Sequence, residues 1–130
     1  MENRFRFRCV VRGEKVTRDV TNIDYDNLEI TIKVAGFPEV RQLERIKAIL
    51  SCTGFEDKND TPIYEGDILR VIYNNSNYIA KVEYYSTGFM LVGNRNEYDW
   101  EEDFSKCGRM VLEILGNIYE NPELLNNKQI

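Results

Sequence analysis

Basic and apolar residues alternate at the start of the chain, and a similar alternation returns further along. Residues 4–11, RFRFRCVV, would place arginines on one face of a β-strand and phenylalanines on the other. Residues 28–34, LEITIKV, again alternate apolar and polar side chains. Gly36 and Pro38 follow, and they should end this strand because neither residue suits the interior of a sheet ladder.

The apolar spacing of residues 39–50, EVRQLERIKAIL, fits two different structures. Val40, Leu43 and Ile46 recur at spacings of three, which favours a short amphipathic helix. A loop that leads into a strand is the alternative, since such transitions can produce the same spacing over so few residues.

The pattern in the second half of the chain predicts short strands separated by turns. These strands are at residues 67–73, 78–85, 89–93 and 109–120. NNSN at 74–77 should form a turn, because asparagine tolerates positive φ. An acidic loop containing Trp100 should cross to the last strand, in which Gly116 should form a bend or bulge. NPELL then supplies an asparagine cap followed by proline, which predicts one short helical turn.

Several short strands at this spacing predict a mainly β fold that contains an open SH3-like small barrel and at most one or two short helices. With 130 residues the chain can form one domain, or one domain with a small companion. No apolar run approaches the roughly 18 residues of a membrane span. No charged-then-apolar leader opens the chain. We therefore expect a soluble intracellular protein.

The charged residues are unevenly distributed along the chain. Seventeen basic and twenty-two acidic side chains give a net charge of -5. This charge argues against a protein that binds the phosphates of nucleic acids with its whole surface. Residues 1–20 nevertheless carry six basic and three acidic side chains, whereas residues 97–103 carry five acidic and no basic ones. This asymmetry could orient a contact between copies of the chain or a contact with nucleic acid.

The absence of histidine removes the usual zinc sites, histidine acid–base catalysis and the Ser-His and Cys-His nucleophile pairs. Cys9, Cys52 and Cys107 are far apart and form no CxxC pair, so they read as structural residues. The acidic run in FEDKNDTPIYE lacks the central glycine of a calcium loop, and Pro62 interrupts its geometry, so we interpret it as a turn. No cofactor or metal is predicted.

Six residues are candidates for a contact with nucleic acid or a protein partner: Arg4, Arg6, Arg8, Tyr64, Glu65 and Trp100. The three arginines, interleaved with phenylalanines, fit a strand that meets phosphates and stacks on bases. The alternative is an edge strand that buries its phenylalanine face and protects the other face with charge. For Trp100 the alternative is a structural role, in which its side chain covers one end of the core.

In IYEGDIL, Gly66 and Asp67 should turn the chain sharply into a strand.

TGFEDKNDTPIYEGDIL, residues 53–69, closely resembles a pattern of the YopX family of phage and prophage proteins. That pattern runs threonine, glycine, leucine, lysine, aspartate, lysine, asparagine and glycine, and then isoleucine, tyrosine, glutamate, glycine and aspartate. GNIYENPELL, residues 116–125, resembles the ending of the same family, and the RFRFR opening looks like its first strand. Asp60 stands where the family usually carries glycine, which leaves the turn type open.

This resemblance implies an SH3-like barrel in residues 53–130 and a smaller β-rich part in residues 1–52 packed on it. It also implies a phage or prophage origin and a cytoplasmic setting in the host cell. It implies no activity, and no catalytic residue is carried over from the family.

Together these observations predict a non-enzymatic accessory protein that acts by self-association or by binding another protein. The alternative is a nucleic-acid-binding module that uses Arg4, Arg6, Arg8 and exposed tyrosines. An enzyme that relies on a cysteine or carboxylate site ranks last, because the chain lacks the groups that usually complete such a site.

Overall fold

The computed structural model of the chain describes residues 6–85, 88–95, 98–103 and 110–126. These residues form two antiparallel sheets, so the predicted mainly β fold is confirmed. Neither sheet closes into a barrel within the described ranges. In the same ranges no helix is long and apolar enough to cross a membrane.

The first sheet has six strands in the order β4-β3-β2-β1-β5-β6. They are β1 (Phe7–Val11), β2 (Thr17–Asp24), β3 (Glu29–Val34), β4 (Phe37–Gln42), β5 (Ile46–Glu56) and β6 (Pro62–Tyr64). The alternation predicted in residues 28–34 places Ile30 and Ile32 in the core, where both are fully buried beside Cys9 and Val11. β5 runs through residue 52, and the predicted division of the chain there stays a prediction.

The second sheet has five strands in the order β10-β9-β8-β7-β11. They are β7 (Asp67–Tyr73), β8 (Ser76–Tyr85), β9 (Gly88–Arg95), β10 (Tyr98–Asp103) and β11 (Val111–Asn117). Leu69, Val71, Val82 and Leu91 form the centre of its core. Ile63 from β6 is fully buried in this same core, so the end of the first sheet packs directly on the second.

Two hairpins close through two-residue turns with positive φ. Asn74 and Asn75 have φ of 49° and 64°, and Ala35 and Gly36 have φ of 53° and 85°. Such turns match the right-handed twist of the flanking strands, and asparagine and glycine reach them at the lowest cost. The turn predicted at NNSN is therefore confirmed, and its strands β7 and β8 lie close to the predicted ranges.

The helix predicted over residues 39–50 is wrong. This segment contains the end of β4, a 3-10 turn at Leu43–Arg45 and the start of β5. β3 does end at Val34, as predicted from Gly36 and Pro38, but Pro38 itself lies inside β4, which is the edge strand of its sheet. An edge position tolerates proline because only one side of the strand must donate hydrogen bonds to a neighbour.

The acidic loop predicted around Trp100 is also wrong, because residues 98–103 form the edge strand β10. Its backbone pairs with β9, with Trp100 opposite Gly93. Charged residues are common on edge strands, where they discourage pairing with other chains. Acidity alone therefore did not distinguish a loop from an edge.

The end of the chain follows the prediction in part, because the last strand ends at Asn117 and residues 118–120 form a turn where the sequence predicts a strand. The register of β11 against β7 shifts between Ile114 and Gly116, which confirms the bulge expected at the glycine. A 3-10 helix, Pro122–Asn126, follows with proline as its first residue.

Candidate functional site

A cleft of about 310 Å³ lies between the two sheets. It brings together three of the predicted contact residues, Arg6, Arg8 and Tyr64, although they come from distant parts of the sequence. Asp19, Asp67 and Asn117 also line it. The cleft thus contains both cationic and anionic groups.

Arg8 is held by contacts within the protein. Its Nη2 donates a hydrogen bond of 3.1 Å to the Thr17 carbonyl, and its Nε lies 3.1 Å from Asp19 Oδ1. Its guanidinium also lies 6.0 Å from the centroid of the Tyr64 ring, within reach of a cation–π contact. Because these partners already compensate the charge of Arg8, this side chain is poorly placed to bind phosphate.

Tyr64 and Asp67 turn the chain from the first sheet into the second. The Tyr64 N–H donates to Asp67 Oδ2 at 2.8 Å, which fixes the turn predicted in IYEGDIL. Burial raises the pKa of the Asp67 carboxyl to about 7, against the opposing effects of this hydrogen bond and of Arg8. Burial likewise raises the pKa of Tyr64.

Glu65 is positioned apart from the cleft lining. Its backbone N–H donates to the Ser51 carbonyl at 2.9 Å. Burial raises the pKa of Tyr119, and the charge of Glu65 raises it further. Lys47 Nζ lies 5.9 Å from the centre of the same tyrosine ring. Glu65 and Lys47 thus both lie near Tyr119, and all three residues are outside the lining of the cleft.

The turn at residues 117–121 joins the end of the chain to the first sheet. Asn117 Oδ1 accepts hydrogen bonds from the N–H groups of Tyr119 and Glu120. Glu120 Oε2 accepts from the Thr17 N–H, the Thr17 hydroxyl and Asn117 Nδ2 at 3.2, 3.2 and 2.8 Å. Burial alone would raise the pKa of Glu120, but these hydrogen bonds outweigh it and lower the pKa.

The two segments that carry the family resemblance contact each other at Gly66. This residue has φ of +90°, and its carbonyl accepts the Ile118 N–H at 2.9 Å. A Cβ at this position would lie 3.3 Å from the Tyr119 ring. Glycine is required here both for its backbone conformation and for the close approach of the turn.

Asp57 organises the loop that the sequence predicts as a turn. Its Oδ1 accepts the N–H groups of Asn59 and Thr61, and its Oδ2 accepts the Ile114 N–H of β11. The carboxylate is therefore occupied by backbone donors. Within the described part of the chain, histidine, cysteine, aspartate and glutamate form no group of three that could hold a metal ion.

The two described cysteines, Cys9 and Cys52, are buried and free. Burial raises the pKa of the Cys9 thiol to about 11, and the charge of Glu14 adds to this effect. Burial also raises the pKa of Cys52. Both thiols are consequently protonated at neutral pH, the unreactive form of a structural cysteine.

A second surface, which sequence reasoning did not select, is the open edge of β4. Phe37 is 72% exposed and Val40 is 55% exposed, although both lie within a strand. β4 pairs with β3 on one side and is the last strand of the described sheet on the other. We call Phe37–Gln42 the β4 edge.

A groove of about 630 Å³ runs beside the C-terminal half of the β4 edge. Arg12, Arg41 and Arg45 line it together with Glu14 and with the uncharged residues Val11, Gly13, Val40 and Gln42. Glu14 forms an ion pair of 3.2 Å with Arg18, and Arg41 forms one of 2.7 Å with Glu39. The groove is nevertheless more cationic than the rest of this acidic chain.

The structure places the remaining predicted residues as follows. Arg4 lies outside the described residues, and Trp100 is described only through its backbone pairing in β10. The one signal for the β4 edge in the sequence was the apolar pattern around Val40, which was interpreted as the buried face of a helix. Exposed apolar residues on an edge strand and buried ones on a helix look alike at that spacing.

Comparisons with known proteins found a similar crystal structure and a matching family model. A crystal structure of protein EF1440 from Enterococcus faecalis is similar to this chain, with a TM-score of 0.60 and 26% sequence identity over 92% of this chain and 96% of that one. No curated protein matches. The model of the YopX protein family matches residues 6–126. Since that match spans nearly the whole chain, the protein belongs to the YopX family.

Proposed function

We propose that this protein is a non-enzymatic accessory protein that binds protein chains at its β4 edge. The observation that carries this proposal is the exposure of Phe37 and Val40 on the last strand of the described sheet. A strand edge with exposed apolar side chains is a template for pairing with another strand, which supplies both backbone hydrogen bonds and apolar contact.

The same proposal includes the setting predicted from the sequence. A phage or prophage accessory protein in the host cytoplasm needs no chemistry of its own if it acts by binding. Five antiparallel strands in the second sheet support the SH3-like small barrel as the scaffold behind the contact surface. Copies of this chain are the first partners to test, because the contact would then need no further component.

Nucleic-acid binding is the second candidate, and the groove with Arg12, Arg41 and Arg45 favours it. Against it, Arg8 is engaged by Asp19, Thr17 and Tyr64, so the predicted arginine strip has less free charge than its sequence suggests. Fluorescence anisotropy with labelled single- and double-stranded DNA and RNA at low salt separates the two. Binding that weakens as salt rises would favour this candidate.

Sedimentation velocity over a wide range of protein concentrations tests the leading proposal. We expect the wild type to sediment faster as its concentration rises, and Val40→Pro to stay monomeric because it removes an outward N–H group from the edge. Tyr84→Ser is the matched control, since Tyr84 is 57% exposed on an interior strand of the other sheet. A wild type that stays monomeric throughout would contradict self-association.

A further inference from the structure

We propose that two copies of this chain pair through their β4 edges in one register, antiparallel and with Val40 opposite the partner's Val40. This inference rests on the proposed function and adds the identity of the partner and the geometry of the contact. The backbone phase of β4, the order of charges along it and the neighbouring groove all lead to the same register.

The backbone phase decides which groups of β4 face outward. In a hairpin with a two-residue turn, the residues flanking the turn exchange backbone hydrogen bonds, and every second pair does the same. Val34 pairs with Phe37 beside the turn, so Phe37, Glu39 and Arg41 direct their backbone groups toward β3. A bond of 2.8 Å from the Leu43 N–H to the Leu28 carbonyl continues this phase.

Pro38, Val40 and Gln42 consequently direct their backbone groups away from the sheet. Pro38 has no N–H to offer at its outward position, so it limits pairing at that end of the edge. Val40 has both an outward N–H and an outward carbonyl. Around it, a two-fold antiparallel pair can form a hydrogen bond in each direction, and the Gln42 N–H can reach the carbonyl of the partner's Pro38.

The order of charges then selects among the two-fold registers that keep this phase. Centring the pair one position earlier puts Glu39 directly opposite the partner's Glu39, and centring it one position later puts Arg41 opposite the partner's Arg41. Directly opposed like charges destabilise a strand pair. Centring on Val40 instead puts Glu39 opposite the partner's Arg41, and Arg41 opposite the partner's Glu39.

The groove beside β4 fits the same register. Its lining includes Val40, Arg41 and Gln42 of β4 together with Arg12, Glu14 and Arg45, and the charge of Glu14 is compensated by its ion pair with Arg18. In the proposed pair, the partner's Glu39 lies opposite Arg41 and therefore enters this cationic groove. The intramolecular Arg41–Glu39 ion pair of 2.7 Å would become part of an alternating set of four charges.

The size of the contact sets the expected strength. Six residues on each edge bury far less than the roughly 1,200 Å² of a typical stable interface. We therefore expect a weak, reversible dimer in rapid exchange with the monomer.

Charge reversal tests the register. Glu39→Arg places an arginine opposite the partner's Arg41, and Arg41→Glu places a glutamate opposite the partner's Glu39. Each variant alone should dimerise at least about tenfold more weakly than the wild type, since each reversal affects both halves of the symmetric contact. An equimolar mixture of the two variants should dimerise again, because every opposed pair then carries opposite charges.

Sedimentation equilibrium of the two variants, alone and mixed, measures this recovery, with Glu123→Arg as a matched control on an exposed residue outside the edge. A mixture that stays as monomeric as its components would overturn the register. If in that case the wild type associates and the Val40→Pro variant does not, binding at the β4 edge stands and only the proposed register fails. If the wild type itself does not associate, both this register and self-association at the β4 edge fail.

Discussion

Asp57 shows how one acidic side chain can look like a metal ligand and serve as a structural residue. Its two oxygens accept three backbone N–H groups, two from its own loop and one from Ile114. Burial by itself would raise the pKa of Asp57, but these hydrogen bonds and the charge of Lys58 lower it. The ionised carboxylate therefore stabilises the fold, and this contribution is lost as pH falls through the lowered pKa.

Asp67 has the opposite relation to pH. Its pKa is about 7 in the folded protein and 3.8 in the absence of perturbation, because burial disfavours its charge. Arg8 opposes this effect, whereas Asp57 and Glu120 add to it. Between those two pH values the unfolded chain releases a proton that the folded chain retains, so the free energy of unfolding falls as pH rises.

Asp67→Asn should remove this loss of stability, because the amide has a similar shape and cannot ionise. Relative to the wild type, the variant should gain stability between about pH 5 and about pH 8. Urea denaturation of both proteins at the two pH values measures the difference. The gain should level off above the folded pKa, where Asp67 is ionised in both states.

Asp24→Asn provides the control for this experiment. Hydrogen bonds from Asn27 lower the pKa of Asp24 below its ordinary value of 3.8, so the effect of its replacement should be the same at both pH values. A difference between wild type and Asp67→Asn that stayed constant with pH would show that Asp67 is ionised throughout. The turn at Tyr64 would then hold a charged carboxylate.

At the scale of elements, the bulge of β11 leaves no room for a side chain at Gly116. A Cβ there would lie 2.7 Å from Asn121 Cγ and 3.0 Å from Asn121 Cβ. Gly116→Ala should therefore lower the free energy of unfolding by about 2 kcal/mol, a typical cost of overpacking. Thermal denaturation monitored by circular dichroism measures the loss.

Two further variants separate this clash from loss of glycine in general. Gly13→Ala meets no atom within 4 Å but has φ of +86°, so its cost should reflect backbone strain alone. In an Asn121→Ala background the nearest side-chain atoms are gone, and Gly116→Ala should cost less. Equal costs in both backgrounds would mean that Asn121 is not the obstacle.

The hairpin of β7 and β8 was predictable because its signals are local. Asn74 and Asn75 can adopt positive φ, and the strands on either side of this turn pair directly from Tyr73 and Ser76 outward. The bulge at Gly116 was likewise predictable, since a glycine within a strand commonly marks a bulge. Each of these features follows from residues within a few positions of one another.

The β4 edge was not predictable, because its structure depends on distant parts of the chain. Val40 and Leu43 have helical spacing, yet β3 recruits residues 37–42 as a strand. The residues near Val40 do not indicate that β4 is the last strand of the described sheet. The cleft has the same difficulty, since Arg8 of β1 and Tyr64 of β6 meet only after β5 has paired with both strands.

For the whole molecule, the most informative contacts are those that cross between the two sheets. Ile63 of the first sheet is buried in the core of the second, and Gly66, in the connection from the first sheet to the second, accepts a hydrogen bond from Ile118. Glu120 binds Thr17 across 103 residues of sequence. These contacts come from the two segments that carry the family resemblance, so the resemblance identifies the junction of the fold more than a binding surface.

Glu120→Ala should loosen this junction without unfolding either sheet. The variant loses both hydrogen bonds to Thr17, and we expect a cost of about 1 kcal/mol, because Glu120 is largely exposed and water can replace part of its role. Hydrogen exchange followed by NMR gives the sharper readout, since the buried Thr17 amide should exchange faster in the variant. Thr17→Val keeps the hydrogen bond from the backbone N–H of residue 17 to Glu120, so it should leave the exchange rate of that N–H nearly unchanged. Unaltered exchange at Thr17 in Glu120→Ala would mean that the sheets are held together by Ile63 and Gly66 instead.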